Sequence, residues 1–220
     1  MGTLDIIFKY RDGLIAGLLV TLRLCLLIWA IGIGFGSVLG FYSARSLFAT
    51  RILRFCSFFL SSIPILVVLF WLHYPAQALL GIVVQPFWTA VVAIGLINIF
   101  TVADIVRPVL QQFPKQYLTA AKVYGIPPGS IIRHIQLPLI LRQIIPPLLI
   151  SQVTMLQATL FASLISVDEI FRVAQQINST EYRPVQIYTA LALFFISICL
   201  PLNGIAIWLQ KRFSHDLSES

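Results

Sequence analysis

Charged residues are scarce in this sequence: Asp, Glu, Lys and Arg make up 10% of its 220 residues, against about 25% in an average soluble domain. Hydrophobic residues make up 59%, more than one globular core of this length needs. We therefore expect much of the surface to face lipid. The composition argues against a soluble enzyme, a disordered chain and a secreted disulfide scaffold.

Residues that carry chemistry are also few. The three cysteines (Cys25, Cys56 and Cys199) lie in apolar stretches and lack metal-ligand spacing. The three histidines lie in three different segments, and no glycine-rich loop ending in Lys-Ser or Lys-Thr is present. The sequence therefore predicts a chain that is not an enzyme, binds no metal or cofactor, and cannot hydrolyse ATP by itself.

Apolar runs long enough to cross a membrane recur along the chain. A spanning helix needs about 20 predominantly apolar residues, and Pro64 interrupts the second run. We predict an all-α integral membrane protein, with residues 1–220 forming a single transmembrane domain. The five predicted spans are about 14–42, 52–74, 87–106, 139–165 and 186–209.

The net charge of +7 has a topological explanation. Ten Lys and Arg residues lie in the connections and tail on one side of the predicted spans, and four lie on the other side. The positive-inside rule therefore predicts an external N-terminus and a cytoplasmic C-terminus. Membrane lipid is the expected partner for this charge, and nucleic acid is not needed to explain it.

Three glycines in the first run are spaced four residues apart. Gly32, Gly36 and Gly40 therefore fall on one stripe of a helix. Small residues at this spacing let a second helix approach closely. We interpret the stripe as a helix-packing surface, with a moving contact as the alternative.

The longest predicted cytoplasmic connection, residues 114–138, contains residues that typically begin and end helices. The sequence predicts a helix over Lys115–Tyr124 and a left-handed turn at Gly125. Pro127-Pro128 suit the start of a second helix, which is expected to stop at Leu137-Pro138. The result is a compact helix-turn-helix with a small-residue surface suited to a groove on a partner.

Thr119-Ala120-Ala121-(three residues)-Gly125, followed by Ile135-Gln136-Leu137-Pro138, resembles the coupling loop, or EAA loop, of ABC-importer permeases, which docks on the ATPase subunit. Thr119 stands where that family has Glu. We interpret it either as tolerated variation or as a weaker coupling contact. The resemblance implies ATPase coupling for Thr119, Ala120, Ala121, Gly125, Leu137 and Pro138.

Further motifs in the same order resemble one branch of these permeases, that of polar amino acids (histidine, glutamine, glutamate, arginine and opines), with the type I importer fold. The resemblance extends from about Gly17 to Tyr188. The matching motifs are Gly17-Leu18-(two residues)-Thr21-Leu22, Arg142-(two residues)-Ile145-Pro146-Pro147-Leu148 and Glu169-Ile170-(one residue)-Arg172-(one residue)-Ala174-Gln175.

The resemblance implies a subunit with five transmembrane helices in a bacterial inner membrane, translocating amino acids by alternating access. The implied partners are a dimer of ATPase subunits holding ATP and Mg, a second permease subunit, identical or homologous, and a periplasmic or lipid-anchored substrate-binding protein. Two alternatives remain. One is a different small solute on the same scaffold. The other is a stand-alone secondary transporter, against which the lack of an inverted repeat argues.

Polar residues within the spans are candidates for the substrate pathway. Gln152, Thr159 and Ser163 recur at intervals of seven and four residues, which predicts one polar face on the fourth span, directed at the subunit interface. Gln157 replaces a family Lys, and Pro64 is the residue kept from a family Arg-Gly-Thr-Pro motif. These losses of charge suggest a heteromeric permease or a less polar substrate, with divergence at constant function as the alternative.

Five ionisable residues complete the candidate set. Asp104 and Arg107 are spaced to form an ion pair near the cytoplasmic end of the third span, and Arg23 is expected to anchor the first span. Glu169 and Arg172, on the outer side, are expected to pair with each other or to contact the binding protein.

Overall fold

The regular elements are all helical in the described part of the chain. The protein is represented by a computed structural model that describes residues 3–218, and within that range it contains no strand. The α-helices are α1 (Thr3–Lys9), α2 (Arg11–Ala44), α3 (Leu47–Ser61), α4 (Ile65–His73), α5 (Pro75–Leu80), α6 (Pro86–Gln111), α7 (Lys115–Val123), α8 (Pro128–Ile131), α9 (Leu137–Ala158), α10 (Ile170–Glu181) and α11 (Pro184–Ser218).

Four continuous helical stretches are long and apolar enough to cross a membrane. They are Arg11–Ala44, Pro86–Gln111, Pro128–Ile165 and Pro184–Phe213. The second predicted span is a bent pair, Leu47–Ser61 and Ile65–Leu80, whose two parts meet at 87°. The described residues therefore give four spans, or five when the bent pair counts as one, and the predicted all-α membrane fold is confirmed.

Pro64 marks the bend in the second span. It lies at the N-cap of α4, three residues after α3 ends at Ser61. Proline has no N–H to donate and disfavours helical geometry in the residue before it, which favours a helix break at this point. A second short break at Tyr74 separates α4 from α5. The 52–74 segment is therefore a broken span or a re-entrant segment, not one straight helix.

The glycine stripe of α2 lies against α6. A Cβ added at Gly36 would be 2.6 Å from the carbonyl oxygen of Ile99, and one added at Gly32 would be 2.0 Å from Asn98 Nδ2. Only a residue without a side chain permits so close an approach. The predicted packing role of the stripe is confirmed.

The fourth span is longer than predicted and has no break at Leu137-Pro138. A π-helix at Ile132–Gln136 joins α8 to α9, and the Leu137 N–H donates to Ile132 O, five residues back. This wider turn lets Pro138, which lacks an N–H, follow without ending the helix. The prediction that a loop helix ends at Leu137-Pro138 is wrong. A 3-10 helix at Thr159–Ile165 extends the same span further.

Candidate coupling loop and translocation pathway

The first half of the 114–138 connection folds as its sequence predicts. Helix α7 covers Lys115–Val123, and Gly125 has φ +68°, the left-handed conformation that favours glycine. The Ile126 N–H donates to Ala121 O at 3.0 Å, which closes the end of the helix. Pro127 is the N-cap of the next helix and Pro128 opens it. The connection is therefore a defined structure rather than a passive linker.

The residues assigned to ATPase coupling separate into exposed and buried ones. Thr119, Ala120 and Gly125 are exposed, whereas Ala121 is only 4% exposed and so is not available to a partner. The Thr119 hydroxyl donates to Lys115 O at 3.2 Å. Since that hydroxyl is held by its own helix, Thr119 offers a partner lone pairs rather than the charge of a Glu.

Leu137 and Pro138 lie apart from α7 in the chain, at the start of α9. Leu137 is 48% exposed and Pro138 is half-buried. Since no turn separates them from the membrane helix, they connect the loop to the span directly.

Two exposed apolar residues beside the turn were not identified from the sequence. Val123 is 80% exposed and Tyr124 is 84% exposed, at the point where α7 ends. Exposed aromatic residues in a polar connection are typical of interfaces. The sequence does contain a signal for these two residues, because they directly precede the predicted turn at Gly125.

Gln152 belongs to a buried hydrogen-bonded network between helices. Its side-chain amide exchanges two hydrogen bonds with that of Asn98, of 3.0 and 3.1 Å, and Asn98 Nδ2 also donates to Ile28 O at 3.0 Å. Asn98 is fully buried and Gln152 is 4% exposed. Trp29 Nε1 donates to the backbone oxygen of Gln152. This network joins α2, α6 and α9, and the part that Asn98 plays in it was not predicted from the sequence.

Thr159 and Ser163 are buried as well, at 0% and 1% exposure. Their hydroxyls donate to backbone oxygens one turn earlier, at Leu156 and Leu160. The prediction that Gln152, Thr159 and Ser163 face the subunit interface is therefore wrong. Periodicity correctly places them on one face, but that face packs against this chain's own helices.

The polar groups that the fourth span leaves exposed are others. Thr154 and Gln157 are exposed on α9, and Gln157 lines an open groove of about 510 Å³ between α9 and α11 together with Asn203 and Cys199. No charged residue lines this groove. Pro64 is exposed at the bend of the second span, separate from the groove. Of the pathway candidates, Gln157 and Pro64 remain accessible.

Asp104 and Arg107 form the predicted ion pair. Arg107 Nη2 lies 2.6 Å from Asp104 Oδ1, and the two side chains are 8% and 36% exposed respectively. Arg107 Nε and Nη1 are buried without a hydrogen-bond partner among the described residues. The charge of the pair is therefore balanced, while the hydrogen-bonding capacity of the guanidinium is not fully used.

Glu169 is a buried helix cap. Its carboxylate accepts the backbone N–H groups of Phe171 and Arg172, at 3.0 and 2.8 Å, and the residue is 0% exposed. The predicted Glu169–Arg172 side-chain pair is wrong: the Arg172 side chain bonds Asp168 at 3.0 Å and donates to Ser163 O. Glu169 precedes the helix as its N-cap, so helical spacing does not apply to it. A contact between Glu169 and a binding protein is excluded by the same burial.

Burial raises the pKa of Glu169 to about 7, although its two backbone hydrogen bonds and Arg172 favour the charged form.

Arg23 is exposed within α2, where a lipid-facing arginine extends toward the headgroups.

Among the described residues, no group of three or more His, Cys, Asp and Glu side chains is placed to hold a metal ion.

The known proteins that this chain resembles are permease proteins of transport systems. The family model "Binding-protein-dependent transport system inner membrane component" matches residues 32–215. The chain is 29% identical over 150 residues to the glutamine transport system permease protein GlnP of Escherichia coli (strain K12), covering 68% of each chain. It is 24% identical over 207 residues to the arginine transport system permease protein ArtQ of Bacillus subtilis (strain 168), covering 92% of this chain and 93% of that one.

Solved structures share the fold. A chain in a crystal structure of an amino acid ABC transporter with histidines superposes with a TM-score of 0.79 at 23% identity, covering 96% of this chain and 99% of that one. A chain of the MetNI methionine ABC transporter superposes with a TM-score of 0.72 at 17% identity, covering 93% and 98%. Since the family model spans most of the chain and the fold agrees, the chain belongs to the family of inner-membrane components of binding-protein-dependent transport systems.

Proposed function

We propose that the chain is the permease subunit of an ATP-driven amino-acid importer in the bacterial inner membrane. The observation that carries the proposal is the exposed α7–Gly125–α8 loop, which is preformed and runs without a break into a membrane-spanning helix. The relatives GlnP and ArtQ, named for glutamine and arginine transport, support amino acids as the cargo. The distribution of Lys and Arg supports an external N-terminus and a cytoplasmic C-terminus.

The proposed partners follow from this role. A dimer of ATPase subunits, which holds ATP and Mg, docks on the α7 loop, and a second permease subunit completes the pathway. A periplasmic or lipid-anchored binding protein delivers the cargo. Closure of the ATPase dimer moves the loop, and the loop moves the fourth span, so that the pathway opens alternately to each side.

The groove between α9 and α11 suits a cargo whose charges are balanced by groups outside this subunit. Charged groups inside a membrane need partners, and the α9–α11 groove provides Gln157 and Asn203 but no charged side chain. We propose that this subunit pairs with a homologous permease that supplies the missing groups, or that its cargo is less polar than a basic amino acid.

A docking experiment tests the coupling role. Tyr124→Ala removes the most exposed aromatic residue of the loop, and we expect the ATPase subunit to bind at least tenfold more weakly, the loss typical of a central interface aromatic. Tyr182→Asn, at a tyrosine that is 83% exposed just before α11, is the matched control and should bind normally. Equal binding of Tyr124→Ala and the control would remove the loop from the interface.

A transport experiment tests the cargo and the pairing. The intact complex, purified with its ATPase and binding protein, is assayed for ATP hydrolysis against a panel of amino acids, and at least one should stimulate it. Stimulation by a different solute alone would contradict the amino-acid assignment. Full transport by a complex with this chain as its sole permease would exclude the heteromeric arrangement.

A further inference from the structure

An apolar pocket lies near the starts of α2 and α11, apart from the groove and the loop described above. Its volume is about 320 Å³, and residues of α1, α2, α10 and α11 form its wall. Arg11 and Gln186 line it from the first turns of α2 and α11, and the other described residues that line it are all apolar. This α2–α11 pocket therefore has its polar groups at the end where the two long helices begin.

The depth of the α2–α11 pocket follows the helix axes. Its lining extends on α2 from Arg11 to Leu18 and on α11 from Gln186 to Phe194. These stretches rise by roughly 11 and 12 Å at 1.5 Å per residue, which is most of one leaflet, or half of a hydrocarbon thickness of about 30 Å. The pocket therefore leads from a polar end, on the side proposed to be external, to an apolar depth within the same leaflet.

The pocket is closed on the protein side and open toward lipid. Four lining residues, each no more than 6% exposed, pack together behind it: Ile6, Ala174, Ile177 and Ile187. Lys9 Nζ lies 2.6 Å from Glu181 Oε1, which ties α1 to α10. Ile15, by contrast, lines the pocket and is 54% exposed. A molecule in the surrounding bilayer can therefore enter from the side.

Arg11 is the charged group at the polar end. Its Nε lies 3.4 Å from Asp12 Oδ1, and the two side chains are 69% and 90% exposed, so this pair is weak. The terminal nitrogens of a guanidinium carry further N–H donors, and their planar fork matches two oxygens of a phosphate group. Arg11 is therefore placed to hold an anionic group at the mouth of an apolar pocket.

We propose that the α2–α11 pocket binds a phospholipid, with one acyl chain in its apolar depth and the lipid phosphate at Arg11. The order of the groups in a phospholipid, phosphate at the surface and hydrocarbon below, is the order of the groups along the pocket. Burial of the chain against four helices removes apolar surface from the bilayer into a fitted site, and the guanidinium fixes the position of the headgroup.

The size of the pocket distinguishes this occupant from a helix of another subunit. A helix about 10 Å wide and 11 Å long occupies roughly 900 Å³, nearly three times the volume of the pocket. A single flexible chain fits where a helix does not. The proposal concerns binding of lipid and does not depend on which solute the importer moves.

Native mass spectrometry of the intact purified complex tests the site. The complex is stripped of lipid in detergent and then given phosphatidylglycerol with deuterated chains, and we expect one tightly bound molecule for each copy of this chain. Diacylglycerol with the same chains lacks the phosphate and should bind at least tenfold more weakly, the loss expected when a charge-assisted hydrogen bond is removed. Inorganic phosphate should not displace the lipid, because it leaves the apolar depth empty.

Variants locate the binding. Ala190→Phe places a ring in the pocket, since Ala190 is a lining residue, and should weaken lipid binding at least tenfold. Ala192→Phe is the matched control, because Ala192 is exposed on the same helix and does not line the pocket. Arg11→Gln should weaken binding about tenfold, whereas Arg23→Gln, at an exposed arginine of the same helix outside the pocket, should leave it unchanged.

Each outcome either supports or overturns the lipid site. Equal affinity for phosphatidylglycerol and diacylglycerol would show that Arg11 recognises no headgroup, and displacement by inorganic phosphate would identify an anion site; both overturn the proposal. Undiminished binding in Ala190→Phe and Arg11→Gln, or an equal loss in Ala192→Phe, would place the lipid elsewhere. Should Ala190→Phe fail to fold, Arg11→Gln, which changes an exposed side chain, decides alone.

Discussion

The packing of α2 on α6 makes a quantitative prediction at Gly36. An alanine Cβ there would lie 2.6 Å from Ile99 O and 2.7 Å from Val102 Cβ, and the first of these atoms is backbone. Relief therefore requires the two helices to separate, and overpacking of this kind costs about 1–3 kcal/mol. Alanine also gains up to about 1 kcal/mol of helix propensity over glycine. We expect Gly36→Ala to lower the free energy of unfolding by about 1–2 kcal/mol.

Gly34 provides the matched control on the same helix. It is exposed, and nothing lies within 4 Å of an added Cβ. Gly34→Ala should therefore show only the propensity gain, of about 0.5–1 kcal/mol. Unfolding of both variants by denaturant in detergent measures the difference. Equal stability of the two variants would refute the close packing of α2 against α6.

Gly32 extends the same experiment because its neighbour is a side chain. A Cβ at Gly32 would lie 2.0 Å from Asn98 Nδ2, so Gly32→Ala should be as damaging as Gly36→Ala. Shortening the neighbour with Asn98→Ala removes the two nearest contacts, with Nδ2 at 2.0 Å and Cγ at 2.3 Å, and leaves Asn98 Cβ at 2.8 Å. The double variant should therefore be less destabilised than the sum of the two single changes. Strict additivity would show that the clash does not determine the cost at this site.

Three further predictions concern buried and charged groups. Gln152→Leu leaves Asn98 Oδ1 without a donor, although Asn98 Nδ2 still donates to Ile28 O, and should cost about 1–3 kcal/mol. In a double-mutant cycle, Asn98→Leu should cost less in the Gln152→Leu background than in the original protein. Because the pKa of Glu169 is raised from 4.5 to about 7, its stabilising contribution is complete below pH 4.5 and is lost as the pH rises through 7; Glu169→Gln should flatten that decline in unfolding experiments. A hydrogen bond from Lys9 lowers the pKa of Glu181, so the contact of α1 with α10 is present above pH 4.5 and weakens as the pH falls through that lowered pKa. Hydrogen exchange in α1, corrected for the intrinsic exchange rate at each pH, should therefore show lower protection factors at pH 3 than at pH 7.

The sequence was sufficient for features set by local rules. Hydropathy located the spans, because each apolar run must be about as long as the bilayer is thick. The turn at Gly125 followed from the left-handed conformation that glycine favours, and the Asp104–Arg107 pair followed from helical spacing. Each of these features depends on residues close together in the chain.

The sequence was insufficient where a residue's role depends on another helix or on a small change in helix type. Periodicity placed Gln152, Thr159 and Ser163 on one face but could not show that this face packs inside the subunit. The break expected at Pro138 was replaced by a π-turn, which shifts a hydrogen bond by one residue. Spacing also misjudged Glu169, because its pairing with Arg172 assumed that both lie within one helix, whereas Glu169 is the cap.

The continuity of the fourth span bears on how the loop acts at a distance. The stretch Pro128–Ile165 has 38 helical residues, or roughly 57 Å at 1.5 Å per residue, which exceeds the hydrocarbon thickness of about 30 Å. Its far end is held by Arg172 Nη1, which donates to Ser163 O, and its middle is held by Gln152 through the paired amides. We therefore expect a displacement at the loop to travel along this continuous stretch and to reach α6 through the amide pair, with the π-helix and Pro146-Pro147 as the places where the stretch can bend.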